Sequence, residues 1–286
     1  MGSRKKAAKK ADKKAVLSAR LPRAPLAEVV FELRWALQQG PIPQGLMNFD
    51  PMIFPLLYAF GVGIAKKGFP FVRDVSHPSN TGPYGVIRRY YKSEELLYPL
   101  MQIGSGIFAT NESHLYDWKR FKSQVLMGVQ VLLDTYPTEF GTRLIPAYLE
   151  LRYVDVFDKT VLPEGSVVSF AEKASSLKIQ LPPILGNKEM FWGNVAGRVV
   201  FQRSIRDRKD SLFEAELASA QNAGTNEAVI KLESKVRSTG GGVPALKNNK
   251  KFISDVGDWL EFAHDVTSPF FKDFVLPEFM KKFRRT

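Results

Sequence analysis

Four pairs of charged residues stand two positions apart in otherwise apolar runs: Glu32 with Arg34, Glu150 with Arg152, Glu214 with Glu216, and Lys231 with Glu233. In an extended chain alternate side chains leave the same face, so each pair projects together. If the runs are neighbouring strands, Glu32, Arg34, Glu150, Arg152 and the nearby Asp155 could line a pocket for a charged ligand. Glu32, Glu150 and Asp155 would then offer oxygen donors to a metal. The other reading is a solvated sheet face laced by cross-strand ion pairs, each worth less than about 1 kcal/mol.

Other chemistry is thinly represented. The chain has no cysteine, which excludes thiolate nucleophiles, thiolate metal sites and disulfides. Its three histidines, His77, His114 and His264, are far apart, and none has a second histidine four positions on, as a helical zinc pair needs. There is no G-x-S-x-G, and no lysine-bearing D…E-x-K pattern follows Asp155 or Asp158. Gly104-Ser105-Gly106 is too short and wrongly placed for a phosphate loop that opens a helix, and reads as a bulge or a close backbone approach. The expectation is a non-catalytic protein without a cofactor.

The formal charge of +12 is concentrated at the two ends. Residues 1–20 carry eight Lys or Arg against Asp12, and residues 277–286 carry Lys281, Lys282, Arg284 and Arg285 against Glu278, which leaves only +2 for the body. Lys5, Lys6, Lys9 and Lys10 belong to an Ala/Lys tract without an apolar face, expected to be a disordered arm with salt-sensitive attraction to phosphates. Arg203, Arg206, Arg208 and Lys209 form the basic cluster of the body at a hairpin tip, where phosphate contact and plain solvation both remain open.

The elements that must position these residues follow from periodicity. Val29, Phe31, Leu33 and Trp35 alternate with charge and predict a half-buried strand. A helix runs through Met52, Phe54, Leu57, Tyr58 and Phe60, and Phe69 to Pro83 reads as irregular. Tyr84 to Tyr91 and Tyr98 to Thr110 predict two strands, the second interrupted by its glycines. The period of Trp118, Phe121, Val125, Val129, Leu132 and Leu133 predicts a helix capped near Asp117, and Ala147 to Val156 returns as a strand. Leu177 to Leu181 could form a strand. Asn194 to Ile205, Ser211 to Asn222 and Glu227 to Ser238 read as a meander, and a last helix is capped at Ser254 or Asp255.

Asp117-Trp118-x-x-Phe121 and Asp258-Trp259-x-x-Phe262 share a pattern 141 positions apart, each after a run of strands. The fold expected is α+β, a mostly antiparallel sheet with helices on one side, built from two similar halves. Residues 1–20 form the tail, 21–160 the first half and 161–286 the second. No apolar run approaches the roughly 20 residues of a membrane span, and no signal peptide is visible, so a cytoplasmic setting is expected. The aromatics of the last helix, Phe270, Phe271, Phe274, Phe279 and Phe283, exceed what one face can bury and suggest an oligomer or a subunit of a larger assembly.

The segment from Ala24 to Arg34 (A-P-L-x-E-V-V-F-E-L-R), the segment from Gln102 to Asn111 (Q-I-G-x-G-x-F-x-x-N), Tyr116-Asp117-Trp118, Leu151-Arg152-Tyr153-Val154 and a late Trp259 with His264 resemble a sporadically distributed prokaryotic protein family of about this length. The likeness covers nearly the whole chain after the basic tail. Ser105 stands where that family tends to have proline, and Asp155 where it tends to have asparagine. The family has no established activity, so the resemblance implies no catalytic residues; its patchy distribution implies genes of defence or mobile-element islands. The function expected is a non-catalytic accessory binding protein contacting nucleic acid or an acidic protein through its basic ends; its place in an antiviral-defence or mobile-element system is what the resemblance implies. The alternatives are a ligand sensor or enzyme using the Glu/Arg face, and an assembly subunit.

Overall fold

Val29, Phe31, Leu33 and Trp35 leave one face of strand β1 (Leu26–Trp35) and are buried, as their alternation with charged residues dictates. The computed structural model describes residues 25–36, 53–76, 86–113, 116–137, 143–163, 166–179, 197–222 and 225–283. Helix α1 (Ile53–Ala65) follows β1, then the strands β2 (Phe71–Ser76), β3 (Val86–Tyr91), β4 (Leu100–Gly104) and β5 (Ile107–Glu112), then helix α2 (Trp118–Thr135). The chain goes on through β6 (Pro146–Phe157), α3 (Val167–Ala174), β7 (Arg198–Ser204), β8 (Ser211–Gln221) and β9 (Ala228–Thr239). It ends in α4 (Asn249–Phe274), α5 (Pro277–Met280) and a 3-10 turn, Lys281–Phe283.

Among the described residues the nine strands form one antiparallel sheet in the order β2-β3-β4-β5-β1-β6-β9-β8-β7. That order contains a repeat. In each half a first strand (β1 or β6) is followed by a helix, then by a meander whose last strand (β5 or β9) returns to pair with the first, then by a long helix. The halves join where β1 pairs with β6, with Phe31 opposite Leu151 and Leu33 opposite Leu149. Helix α2 packs on β5, α4 packs on β9, and the two helices meet. They run antiparallel, with Lys122 at Glu261 and Leu126 over Gly257.

The helices cover one face of the sheet. The larger core joins the helix-facing residues of β1, β4, β5 and β6 to Phe60 of α1, Phe121 and Val125 of α2, and Phe252, Val256 and Trp259 of α4. A second core gathers Phe157, Leu217, Ile230 and Leu232 under α3, the end of α4 and α5. Each fully buried large apolar side chain contributes about 1.5–3 kcal/mol. The aromatics of the last helix are used here: Phe274, Phe279 and Phe283 are buried, and Phe270 packs 5.0 Å from Phe213. The sequence argument for an assembly from their excess therefore fails.

Several local expectations change. Ser105-Gly106 is a two-residue hairpin turn between β4 and β5, not a bulge within one strand; Gly106, its second residue, has φ 71°, the left-handed value that favours glycine there. Phe71–Ser76 is a strand held by pairing with β3, although its own pattern reads as irregular. Residues 177–179 are not strand, and α3, too short to show a period, is fixed by Ser166, whose hydroxyl accepts the N–H of Ser169 at 3.1 Å. Asp117 caps α2 as its spacing predicts, accepting from the N–H of Arg120 at 2.9 Å. Helix α4 begins earlier than expected, capped by Asn248 on the N–H of Lys251 at 2.8 Å.

That early start separates the two D-W-x-x-F matches. Asp117 is an N-cap, whereas Asp258 lies well inside α4. Trp259 is buried edge-on to Phe31, and its Nε1 donates to Ser238 Oγ at 2.9 Å. Trp118 is only partly buried, and its Nε1 donates to Glu261 at 3.0 Å. The halves repeat in topology, and the shared motif does not carry that repeat.

Candidate functional site

The face of the sheet opposite the helices gathers the charged pairs. Glu32 and Glu150 are direct cross-strand neighbours on β1 and β6, an arrangement that repels unless cations intervene. Arg34 donates through Nε to Glu32, Arg152 approaches Glu150 at 3.6 Å, and the Tyr148 hydroxyl donates to Glu150 at 2.5 Å. The Arg34 guanidinium lies 5.4 Å over the Tyr148 ring. Burial works against the charge of Arg34, but its bond to Glu32 and the surrounding carboxylates hold its pKa above the ordinary value. Burial, then the bond to Glu150, pushes the Tyr148 phenol up.

The lattice continues into the second half. Lys235 bridges Glu214 at 2.8 Å and Glu233 at 3.1 Å; Lys231 reaches Glu233 at 3.2 Å, and Arg198 reaches Glu216 at 2.7 Å. Burial opposes the charge of Lys235, and its two carboxylate partners outweigh that and raise its pKa. On the first half the same face carries a hydrogen-bonded chain across four strands. Arg89 donates to Gln102, Gln102 to Asn111, and Asn111 to Glu28, each at 2.7 Å, and the Tyr98 hydroxyl donates to Glu28 at 3.1 Å. Burial first, then Glu28, pushes the Tyr98 phenol up to about 12. Glu28, Gln102 and Asn111 belong to two of the sequence segments quoted above, and this chain is what brings them together.

At one end of the sheet a cleft of about 480 Å³ opens between the β7–β8 turn, the end of β9 and the start of β6, lined among others by Tyr148, Ser204, Lys209, Arg237 and Thr239. Backbone contacts hold its rim in place. Residues 209–211 press onto Gly240–Gly242, where the carboxylate of Asp210 accepts the N–H of Gly241 at 3.1 Å and its carbonyl accepts the N–H of Thr239 at 2.9 Å. A Cβ at Gly242 would stand 2.6 Å from the Lys209 carbonyl oxygen, so this approach requires glycine. Arg208 lines the cleft and anchors the turn to α4, its guanidinium 4.5 Å over Phe262.

Of the residues expected to bind a ligand, Glu32, Arg34, Glu150 and Arg152 do share a face. Asp155 does not join them. It sits at an odd position of β6 with Leu149, Leu151 and Phe157, so the pleat turns it toward the helices, where it is buried. Burial raises its pKa to about 8. A metal held by Glu32, Glu150 and Asp155 is therefore ruled out by the pleat, and no cluster of three or more acidic or histidine side chains fit for a metal occurs among the described residues. Arg203 pairs across from Phe213, on the helix side, and Arg206 is exposed in the turn, so neither faces the cleft with Lys209. Lys281 pairs with Glu278 at 2.8 Å, and Lys282 donates to the Val161 carbonyl at 2.8 Å. Lys5, Lys6, Lys9, Lys10, Arg284 and Arg285 lie outside the described residues, as do His77 and His114.

Tyr148, Arg237 and Thr239 were not singled out from sequence. Tyr148 has the parity of Glu150, which was a usable signal, but the pairing of Glu150 with Arg237 needs the β6–β9 register. On the helix side, the Tyr116 and Tyr153 hydroxyls meet at 2.8 Å, and Tyr153 meets Nδ1 of His264 at 2.8 Å. Burial pushes the His264 pKa down to about 4. The group ties the segment leading into α2, β6 and α4 together, with no carboxylate bonded to the imidazole among the described residues, which marks it as a clamp between elements. The molecule is thus an α+β protein with a charged sheet face opposite its helices and a basic cleft at its end. No family model, curated protein or solved structure matches the chain.

Proposed function

We propose that this is a non-catalytic binding protein that contacts nucleic acid through its basic hairpin and basic ends. The observation that carries this reading is the cleft, where Lys209 from the turn and Arg237 from β9 converge beside unspent hydroxyls. The open face itself is close to self-neutralised, since its carboxylates are already met by Arg34, Arg152, Lys231, Lys235 and Arg198. An anion therefore gains most at the cleft and at the ends, where eight basic residues in residues 1–20 add non-specific attraction. The test is fluorescence anisotropy of labelled single- and double-stranded oligonucleotides at rising salt. Affinity is expected to fall about tenfold or more between 50 and 200 mM salt, and to weaken when residues 1–20 are removed. Absence of binding, or binding indifferent to salt and to that deletion, overturns the reading.

A second reading, subunit of an assembly, is favoured by α1. Phe54, Tyr58 and Val62 stand at i, i+4 and i+8 and are 55%, 75% and 45% exposed, an apolar row on one helix face. Sedimentation of the wild type and of Tyr58→Lys tests it: association lost in the variant supports the reading, and a monomer in both sinks it.

A further inference from the structure

We infer that the cleft at the β7–β8 turn receives a phosphomonoester, the end group of a mononucleotide or of a 5′-phosphorylated strand. The inference rests on the anion-binding reading above and makes it specific. Lys209 lines the cleft from the turn, beside Arg208, and Arg237 lines it from β9, so cationic residues of separate elements border one space. The Lys209 ammonium has no ion pair or hydrogen bond among the described residues, and Arg237 is held only loosely by Glu214 at 3.6 Å. A phosphomonoester carries a charge of about −1.5 to −2 at neutral pH. It therefore matches two cations better than an internal phosphodiester, which carries one charge and needs an exit on both sides.

The hydrogen-bonding groups agree. The Ser211 hydroxyl is committed to Ser238 at 2.6 Å and that of Tyr148 to Glu150, but Ser204 and Thr239 make no side-chain hydrogen bond among the described residues and are available to phosphate oxygens. Asp210, the carboxylate in the lining, is bonded to the Gly241 N–H, so its charge is answered by the glycine turn. The volume of about 480 Å³ suits a small ligand, within the roughly 300–1,000 Å³ of such sites. The contact between residues 209–211 and Gly240–Gly242 fixes the lysine-bearing turn before any ligand arrives, which lowers the ordering cost of binding.

The experiment uses the full chain and four probes: one oligonucleotide with a 5′-phosphate, the same oligonucleotide with a 5′-hydroxyl, adenosine monophosphate, and inorganic phosphate. The 5′-phosphorylated strand is expected to bind about tenfold tighter than its 5′-hydroxyl twin, a difference of about 1.4 kcal/mol. Lys209→Ala and Arg237→Gln should each bring the two strands to equal affinity, whatever common phosphate contact both strands lose with the cation. Competition by adenosine monophosphate, at concentrations where inorganic phosphate fails, assigns the site to nucleotides; competition by both assigns it to the phosphate alone. Equal affinity for the two strands, or a preference that survives both substitutions, overturns the inference and leaves the nucleic-acid reading standing. Adenosine monophosphate binding that Lys209→Ala removes, with neither strand bound, keeps the phosphate site and sinks the nucleic-acid reading instead.

Discussion

Trp118 lies flat against His264, ring centroids 4.0 Å apart and planes 12° from parallel, and joins the first turn of α2 to the middle of α4. The same Trp118 donates to Glu261, which also holds Lys122 at 2.8 Å, so three side chains of one helix pair interlock where the two halves meet.

The imidazole in that clamp makes stability depend on acid. Burial holds the folded-state pKa of His264 near 4, against the pull of Asp265 and Glu261 and with the help of Lys272. The unfolded value is about 6.5, so between the two the unfolded chain binds the proton that the folded one refuses. Stability should be flat on this account above pH 7 and fall by on the order of 1–3 kcal/mol toward pH 4. Urea titrations at pH 7 and pH 4.5 measure it. His264→Phe keeps a ring against Trp118 and removes the titration, so its acid loss should be smaller; an equal loss in both proteins refutes the assignment.

Asp155 acts in the opposite direction. Its carboxyl is buried on the helix side of β6 and its pKa is raised to about 8 by desolvation. A group whose folded pKa exceeds its unfolded one stabilises only below the unfolded value and loses that stability as pH rises through the folded value. Between pH 7 and pH 8, where His264 is neutral in the folded state and mostly so in the unfolded one, wild-type stability should drop by roughly 1 kcal/mol for this group. Asp155→Asn retains the shape without the charge and should raise stability at pH 7.5 by about 1–3 kcal/mol and flatten the slope. Thermal melts across that window decide, and a destabilised Asn variant counts against the reading.

What sequence revealed tracks what is local. The alternation of β1 and β6 and the period of α2 are set by neighbours within each element, and the helix-facing and open-face residues come out as their parity requires. The position of Asp155 was legible by the same rule, since an odd residue of β6 cannot share a face with Glu150. The cleft was not, because Lys209, Arg237 and Tyr148 meet only through the β6–β9 pairing and the docking of one turn on three glycines. β2 was missed for a related reason: its partner strand, rather than its own residues, makes it extended.

Two helical glycines should respond to alanine with opposite signs. At Gly128 in α2 a Cβ would stand 2.4 Å from Cζ of Phe108 and 3.1 Å from the Met101 sulfur, so the helix could not stay seated on β4 and β5. At Gly257 in α4 it would meet Leu126 at 3.6 Å and Lys122 at 3.7 Å, an ordinary contact. Gly257→Ala should gain up to about 1 kcal/mol of helix propensity, whereas Gly128→Ala should lose about 1–3 kcal/mol to overpacking. Denaturant midpoints of the two variants provide the comparison, and a stabilised Gly128→Ala would show that α2 can lift at no cost.

The two kinds of polar contact on the open face differ in what they contribute. Arg34 is 58% exposed at its bond to Glu32, whose side chain is 11% exposed, so water reaches the pair from the arginine side, and Glu32→Gln also relieves the repulsion from Glu150 opposite; stability should change by less than about 1 kcal/mol. Asn111 is buried in the middle of a chain, receiving from Gln102 and donating to Glu28, and its loss strands a donor on one side and an acceptor on the other. Asn111→Leu should therefore cost about 1–3 kcal/mol. Because Gln102→Leu cuts the same chain, the double variant should lose less than the two single losses combined, with a coupling of about 0.5–3 kcal/mol in a double-mutant cycle. Strict additivity would mean that Gln102 and Asn111 act as separate surface residues, and that the segments carrying them are joined by the apolar core alone.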